Sequence, residues 1–403
     1  MHESVIRSID KANLCIGCGL CEAICGKENV KMNIESDGFI HPKLLNSRVK
    51  KKDGKIISKI CPAVNVRNSN RLIKSEKVWG TILGCYSTYS TSKEVRNNGS
   101  SGGTITQICI SLLKSGKVDA VLQVGGSKKD YSKNELKVNK TEESILECAS
   151  SRYAPAFVFP DILKLLSGSD EKYAFVGKPC DVTALKNLLV QFPQYAEKIK
   201  YTIAIVCAGI PSFIGTDNVI KKLKAVSPVS NLRYRGDGWP GYFSFQDAKG
   251  EKHKMSYNES WGKILGKTVH IRCKICPDGI GFHSDIAVGD DWETKDGYPD
   301  FNEKPGQSLT ITRSNKGEEL IEELTKSGEL SRSEIAISKL KVIQPYQYKR
   351  RIYVAARILA FMLVKGRVLN FRNMGVMSNV VKVNGYIFVR EFLGSMKRFI
   401  RRR

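Results

Sequence analysis

The stretch KYAFVGKPCDVTALKNLLV, Lys172 to Val190, decides the fold. KYAFVG (172–177) reads as a buried strand, KPC as a turn, and DVTALKNLLV as a helix with Asp181 as its expected N-cap. A strand running through a tight turn into a helix is the building step of an α/β sheet. Similar steps recur on both sides. VWGTILGCYSTY (78–89) reads as a strand region, and NNGSSGGTITQICISLLKSG (97–116) as a glycine–serine turn followed by a helix ended by Gly116. VDAVLQVGG (118–126) and YTIAIVC (201–207) read as further apolar strands. DIAVGDDW (285–292) and SLTITRS (308–314) add shorter ones, and Lys316 to Lys326 reads as a helix. Residues 77–335 are therefore expected to form an α/β or α+β body, without a clean internal repeat.

Two further segments flank this body, and the whole is expected to be α+β. Residues 1–70 read as a small cysteine-bearing module, with VKMNIESDGFIHP (30–42) alternating as a strand and turn. The lysine-rich stretch Arg48 to Lys55 reads as a solvated loop, and residues 66–76 as a linker. Residues 341–403 form a basic helical extension. The chain has 65 Lys+Arg against 40 Asp+Glu, a net charge of +25. From Lys341 onward, 15 basic residues face a single acid, Glu391. The start, MHESVIRSID, lacks the apolar core of a signal peptide. The longest apolar run of the tail, Ile352 to Val364, carries Arg357 and is too short to span a bilayer. A cytoplasmic location is expected, where 12 cysteines point to metal or redox ligands rather than disulfides.

The cysteines fall into two groups and a remainder. CIGCGLCEAICG (15–26) has the C-x2-C-x2-C-x3-C spacing of an iron–sulfur loop, but Gly26 stands where a proline should follow the fourth cysteine. A Cys-Pro pair occurs later, at Cys61-Pro62. In two-cluster ferredoxins the fourth cysteine of such a run serves the other cluster, and a remote Cys-Pro completes the first. Cys15, Cys18, Cys21 and Cys61 are thus expected to hold one [4Fe–4S] cluster in a ferredoxin-like module, leaving Cys25 over. A zinc knuckle is the competing reading. The second group is Cys180, Cys207 and the pair Cys273/Cys276 in IRCKICPDG. Cys180 and Cys207 each end an apolar strand, where open sheets gather their ligands. Inert buried thiols remain the alternative for them. Cys85, Cys109 and Cys148 read as core packing, and His270 as a surface or packing residue. The turn NNGSSGGT opens a helix, which favours phosphate, but it matches no nucleotide-binding motif, and on this feature alone the plain flexible turn is the preferred reading. No catalytic triad is legible.

Taken together, the N-terminal C-x2-C-x2-C with its later Cys-Pro, SSGGT, SRYAP, GKPCDVTALK, CAGIPS, YRGDGWPG, CKICPDG and SDIAVGDDW closely resemble the coenzyme F420 hydrogenase/dehydrogenase beta subunit family. That family includes 7-hydroxymethyl chlorophyll a reductase and bacterial proteins of polysaccharide-synthesis loci. The resemblance covers about residues 10–330 and implies FAD in the α/β body, fed by iron–sulfur clusters. By position it implies that Ser100, Ser101, Gly102, Gly103 and Thr104 lie against the flavin near its phosphates, and that Ser151 and Tyr153 line the same site. Lys178 and Pro179 would approach the flavin, while Arg235, Gly238 and Trp239 would border the substrate side. Cys180, Cys207, Cys273 and Cys276 would hold a second [4Fe–4S] cluster, and Asp285 and Asp290 would shape the site. Many relatives have Thr where Lys178 stands, which puts simple transfer of the deazaflavin activity in doubt. Relatives often carry a second complete C-x2-C-x2-C, absent here.

The resemblance implies an oxidoreductase that relays electrons from a ferredoxin or F420-type donor through clusters and FAD to an organic substrate, a sugar by analogy with the polysaccharide loci. An electron-transfer subunit with no substrate of its own is the alternative, and a zinc-stabilised adaptor a third. The basic tail lies outside the resemblance. It reads as a helix docked on the body or on the inner face of an anionic membrane, or as a partner-binding arm. Nucleic acid is the weaker reading, since no RNA-binding motif is present.

Overall fold

A computed structural model of the chain describes residues 4–45, 49–68, 76–127, 130–131, 133–295 and 298–401. Most of the expected linker at 66–76, Arg48 and the last two arginines lie outside the described residues.

The body is a mixed α/β structure around one eight-stranded sheet. Its strands are β3 (Gly84–Ser90), β4 (Ala120–Gly126), β5 (Asn134–Asn139), β6 (Tyr173–Gly177), β7 (Ile199–Ile205), β11 (Ile286–Asp290), β14 (Ser308–Thr312) and β15 (Leu330–Glu334). They lie in the order β15-β3-β14-β11-β7-β6-β4-β5. β4, β6, β7 and β11 are parallel neighbours, and β14 runs antiparallel between β11 and β3. β3, β4, β6, β7 and β11 therefore point the same way, and their last residues share one edge of the sheet.

Both faces of the sheet are covered, which explains why its strands read as unbroken apolar runs. Along β6, Ala174 and Val176 face one layer while Tyr173 and Phe175 face the other. The first layer contains helices Thr104–Lys114 and Asn315–Lys326, whose Ile108, Leu112, Leu320 and Ile321 meet Val121, Ile203 and Val288. The second contains helix Pro179–Gln191, whose Val182, Leu185 and Leu188 meet Leu122, Ala287 and Ile311. Leu20 and Ile60 of the N-terminal segment belong to the same cluster. Between β7 and β11 the chain builds a satellite of β8 (Ser230–Arg233), β9 (Tyr242–Gln246) and β10 (Lys252–Ser256) packed with helix Phe213–Lys222.

The N-terminal segment comprises helices Val5–Lys11 and Leu20–Cys25, a hairpin of β1 (Val30–Ile34) and β2 (Ile40–Leu44), and helix Lys51–Ile60. This last helix corrects the loop expected at 48–55. Its opening turns are polar and carry no apolar period, but Ile57 and Ile60 bury its far end.

Helix Pro345–Lys365 of the tail docks on the body. Its Val354, Ile358 and Phe361, together with Phe399 of helix Gly385–Arg401, pack against Ile9, Leu14, Ala63, Ile271 and Ile275. Among the described residues, no helix is long and apolar enough to cross a membrane.

Candidate functional site

The quoted strand–turn–helix sets the site. β6 ends at Gly177, Lys178 is the N-cap, and Pro179 opens the helix at its first position, where a missing N–H costs nothing. Asp181 is thus not the N-cap. It stands at the third helical position, and its Oδ2 accepts from the Lys178 backbone N–H at 3.1 Å and from Nζ at 2.6 Å. The proline moved the helix start forward, and an acid suits either position. Asp181 is 1% exposed, and its Oδ1 has no partner. Lys178 is held charged: burial opposes the charge, but Asp181 and Cys180 outweigh it.

Members of both cysteine groups lie near this ion pair: Cys18 of one, Cys180 and Cys207 of the other. Cys15, Cys18, Cys21 and Cys61 line a single apolar cavity with Ile6, Ile9, Leu20, Ile57 and Ile60. Gly17 and Gly19 take positive φ, which lets the backbone wrap around it. A β-carbon at Gly17 would come within 2.7 Å of Ile40, and one at Gly19 within 2.7 Å of Pro160. The Gly17 N–H donates to the Cys15 sulfur at 3.5 Å. Burial first, then Cys61, pushes the Cys18 thiol up to about 12. Cys25 is outside this lining. It is buried among Ile6, Val30 and Ile57.

The second group converges where the ends of β6 and β7 meet the short helix Ile271–Lys274. Burial, then Asp181, Cys207 and Cys276, push the Cys180 thiol well above its usual value, against the pull of Lys178. Burial and then Cys273 push Cys207 up to about 12, against Arg350 and Lys178. The Ile210 N–H donates to the Cys273 sulfur at 3.4 Å. Thiols this buried stay protonated unless a positive centre takes the proton's place.

Sequence reasoning missed the cations near the second group; two of them, Arg350 and Arg351, come from a tail with no recognisable motif. Arg350 donates to the Cys207 carbonyl at 2.9 Å and to that of Ala208 at 2.8 Å. Arg351 is fully buried, and among the described residues no carboxylate bonds to it. It donates to the carbonyls of Val78 (3.0 Å), Lys77 (2.8 Å), Met374 (2.5 Å) and Pro277. Burial pulls its guanidinium down to about 10, only partly offset by Asp278 and Cys276. Arg313 is also held by carbonyls alone, those of Trp79, Thr81 and Ile280, and both guanidinium groups lie over Phe282. Arg272, from the Cys273 helix, donates to Pro62 and Ala63 beside Cys61, which ties the two groups together. Buried cations without their own anions fit sulfur sets that carry net negative charge once metal-bound.

A third constellation occupies the same sheet edge. The SSGGT turn is packed rather than flexible. Gly102 accepts from the Ser90 N–H at 2.8 Å and donates to Ser308 Oγ at 2.9 Å. A β-carbon at Gly102 would come within 2.5 Å of the Thr88 carbonyl. Ser101 meets Ser308 at 2.7 Å, and buried Thr104 meets Thr88 at 2.8 Å. Ser100 Oγ accepts from the N–H (2.6 Å) and hydroxyl (2.8 Å) of Ser151. Gly103 gives helix Thr104–Lys114 no side-chain cap. Next to Ser151, Arg152 donates to Asn134 at 2.8 Å and to the Leu232 carbonyl, but its buried Nη2 has no partner.

Beyond lies an aromatic wall around one ion pair. Arg235, 1% exposed, binds Asp290 through two bonds of 2.9 Å, and its Nη1 donates to the Tyr153 hydroxyl at 3.3 Å. Burial opposes the Arg235 charge, but Asp290 and then Tyr153 hold it well above its ordinary range. Trp239 donates to Asp290 at 2.8 Å and stacks on Trp292. Tyr257 faces Arg235, and Trp261 covers Tyr153. The structure therefore brings Ser100–Thr104 to Ser151, and Tyr153 to Arg235 and Trp239. The bonds of Lys178 go instead to Asp181, near members of both cysteine groups.

Asp285 is corrected as a site-shaping acid. It immediately precedes β11, about 16 Å along the chain from Asp290. There it accepts from Thr202 (2.8 and 2.7 Å) and Ser314 (2.8 Å), pinning strands and a helix start. Cys85 and Cys109 are buried in the core as expected, and Cys148 is half-buried beside Asn139. His270 caps helix Ile271–Lys274, accepting from the Arg272 N–H at 3.1 Å. A cleft of about 540 Å³ lined by Ser92, Gln107, Lys114 and Glu329 lies along helix Thr104–Lys114, and neither cysteine group lines it.

Comparison with known proteins agrees with this architecture. Residues 85–164 match the coenzyme F420 hydrogenase/dehydrogenase beta subunit N-terminal region, and residues 170–337 its C-terminal region. The chain is 24% identical over 369 residues to the coenzyme F420-dependent sulfite reductase of Methanocaldococcus jannaschii, covering 87% of this chain and 52% of that one. It thus spans about half the length of that relative. It is 25% identical over 269 residues to the coenzyme F420 hydrogenase subunit beta of Methanococcus voltae, covering 64% of this chain and 86% of that one. A chain of the F420-reducing [NiFe] hydrogenase complex from Methanosarcina barkeri shares the fold, with a TM-score of 0.52 at 18% identity, over 72% of this chain and 96% of its own. The two matched regions take in more than half of the sequence, and the chain belongs to the coenzyme F420 hydrogenase/dehydrogenase beta subunit family.

Proposed function

We propose that this chain is an electron-transfer oxidoreductase holding two [4Fe–4S] clusters and FAD. The observation that carries the proposal is the two four-cysteine groups, one lining a single apolar cavity and the other gathered beyond the ends of β6 and β7. Cys15, Cys18, Cys21 and Cys61 would hold one cluster, and Cys180, Cys207, Cys273 and Cys276 the other. The clusters would carry single electrons, and FAD would pair them for a two-electron step.

The residues present suit a phosphate-bearing flavin. The uncapped helix start at Gly103 and the unpartnered Nη2 of Arg152 offer donors to an anion, with Ser100, Ser101 and Ser151 beside them. Gly102, Gly103 and Thr104 shape that turn, and Lys178 and Pro179 bring the helix start that faces the clusters. Tyr153, Trp239 and Arg235 wall the space where an organic substrate would meet the flavin, and the aromatics exclude water from it. Arg235 would be fixed by Asp290, so its charge is oriented in advance for an anionic reduced ring.

The electrons would come from a ferredoxin or from reduced F420, the coenzyme named in the relatives that match. A second reading, a subunit that passes electrons within a larger complex, is favoured by the likeness to one chain of a hydrogenase complex. Anaerobic purification followed by metal and flavin analysis tests the proposal. About eight irons and one FAD per chain are expected; zinc without iron or flavin would overturn it. Oxidation of reduced F420 by the isolated chain, with and without an added acceptor, separates enzyme from subunit.

A further inference from the structure

We propose that the outer face of the tail helix Gly385–Arg401 docks on an anionic lipid bilayer surface. Helix Gly385–Arg401 turns Ser395 and Phe399 inward. On its opposite side Tyr386, Val389, Leu393 and Ile400 are 76%, 52%, 58% and 50% exposed. At 100° per residue these four fall within a 60° arc, so they form one stripe rather than scattered contacts. Exposed apolar residues standing singly mean nothing; a stripe at helical spacing marks an interface.

The charge beside the stripe selects the partner. Arg390, Lys397 and Arg401 are exposed and project within about 60° of it. The single acid of the tail, Glu391, does not offset them. It accepts from Arg357 at 3.0 and 2.8 Å in the seam between the two helices. An outward face with an apolar stripe, a row of cations and no acid matches a bilayer of anionic lipid, which offers headgroup phosphate and hydrocarbon at the same depth. A nucleic acid backbone would use the cations and leave the apolar stripe in water. Since no described helix can span a membrane, the helix would lie in the interface.

Vesicle flotation of the full-length holoprotein tests this. The chain should float with phosphatidylcholine vesicles containing phosphatidylglycerol and stay behind with phosphatidylcholine alone, and binding should weaken as salt rises from about 0.1 to 1 M. Arg390→Gln and Lys397→Gln should each lower the partition about fivefold. Val389→Ser and Leu393→Ser should each lower it about tenfold, with thermal stability and cofactor absorption unchanged. Equal binding to neutral vesicles, or no binding to anionic ones, would overturn the proposal. So would parental binding by the two serine variants, or duplex DNA competing the chain off the vesicles. A lipid-free dimer that the serine variants dissolve would assign the stripe to a second copy of the chain instead.

Discussion

Arg351→Met is the most demanding perturbation the structure offers, because it isolates how the tail is held. The arginine is fully buried, bonds to no carboxylate among the described residues and serves four backbone carbonyls. The carbonyl of Lys77 keeps Asn379 as a second donor at 2.8 Å. Those of Val78, Pro277 and Met374 would be left unpaired, at about 2 kcal/mol each. Against the resulting total of roughly 6 kcal/mol stands a gain of about 2 kcal/mol from no longer burying a cation. The net loss is about 4 kcal/mol. For a chain of this length, with an unfolding entropy of about 0.85 kcal/mol/K, this lowers the midpoint by about 5 °C. Lys349→Met is the control, since it removes the same charge from an exposed neighbour. Differential scanning fluorimetry on both, with trypsin cleavage of the tail as a local probe, reads the difference. If the two midpoints agree within about 1 °C, the carbonyl accounting is wrong.

Three further outcomes are expected. Cys61→Ser should remove about half the iron, while Cys25→Ser should leave it intact; the reverse would mean that the local four-cysteine run closes its own site. Asp290→Asn leaves Arg235 buried without its bidentate partner, at about 3–5 kcal/mol; flavin content should fall with stability, and an unchanged flavin-to-iron ratio would separate the ion pair from flavin binding. His41 donates toward Asp10 at 2.6 Å and Asp37 at 3.0 Å, and the Asp10 bond raises its pKa against the pull of burial. Its contribution should be complete below the unfolded value of about 6.5 and fade as pH climbs through the raised folded value. Urea midpoints at mildly acid and mildly alkaline pH should therefore diverge in the parent and converge in His41→Gln.

How much of this was legible depends on how local the signal was. The strands of the body were readable because burial on both faces leaves uninterrupted apolar runs, as in Tyr173–Val176. The cysteine groups were readable because ligand spacing is a property of the chain itself. Asp181 was placed one function off, since an acid near a helix start serves as cap or as third residue, and only the Lys178–Pro179 geometry decides. Helix Lys51–Ile60 hid behind its lysines, because only its last turns touch anything apolar. Arg152, Arg350 and Arg351 were invisible for a different reason. A cation's role is set by the carbonyls and sulfurs it reaches, and those lie up to 274 residues away in sequence.

The position of helix Pro345–Lys365 also bears on the order of assembly. Leu14 and Ala63, flanking the first cysteine group, emerge early in synthesis, while Val354, Phe361 and Phe399, which cover them, emerge last. At about 5–20 residues per second, the intervening three hundred residues take roughly 15–60 s. For that interval the nascent chain presents its cysteines without their final cover. If the first group holds a cluster as proposed, metal delivery would have a window that opens with the N-terminus and shuts when the last helices arrive. Chains cut short before residue 345 should load metal readily and lose it readily.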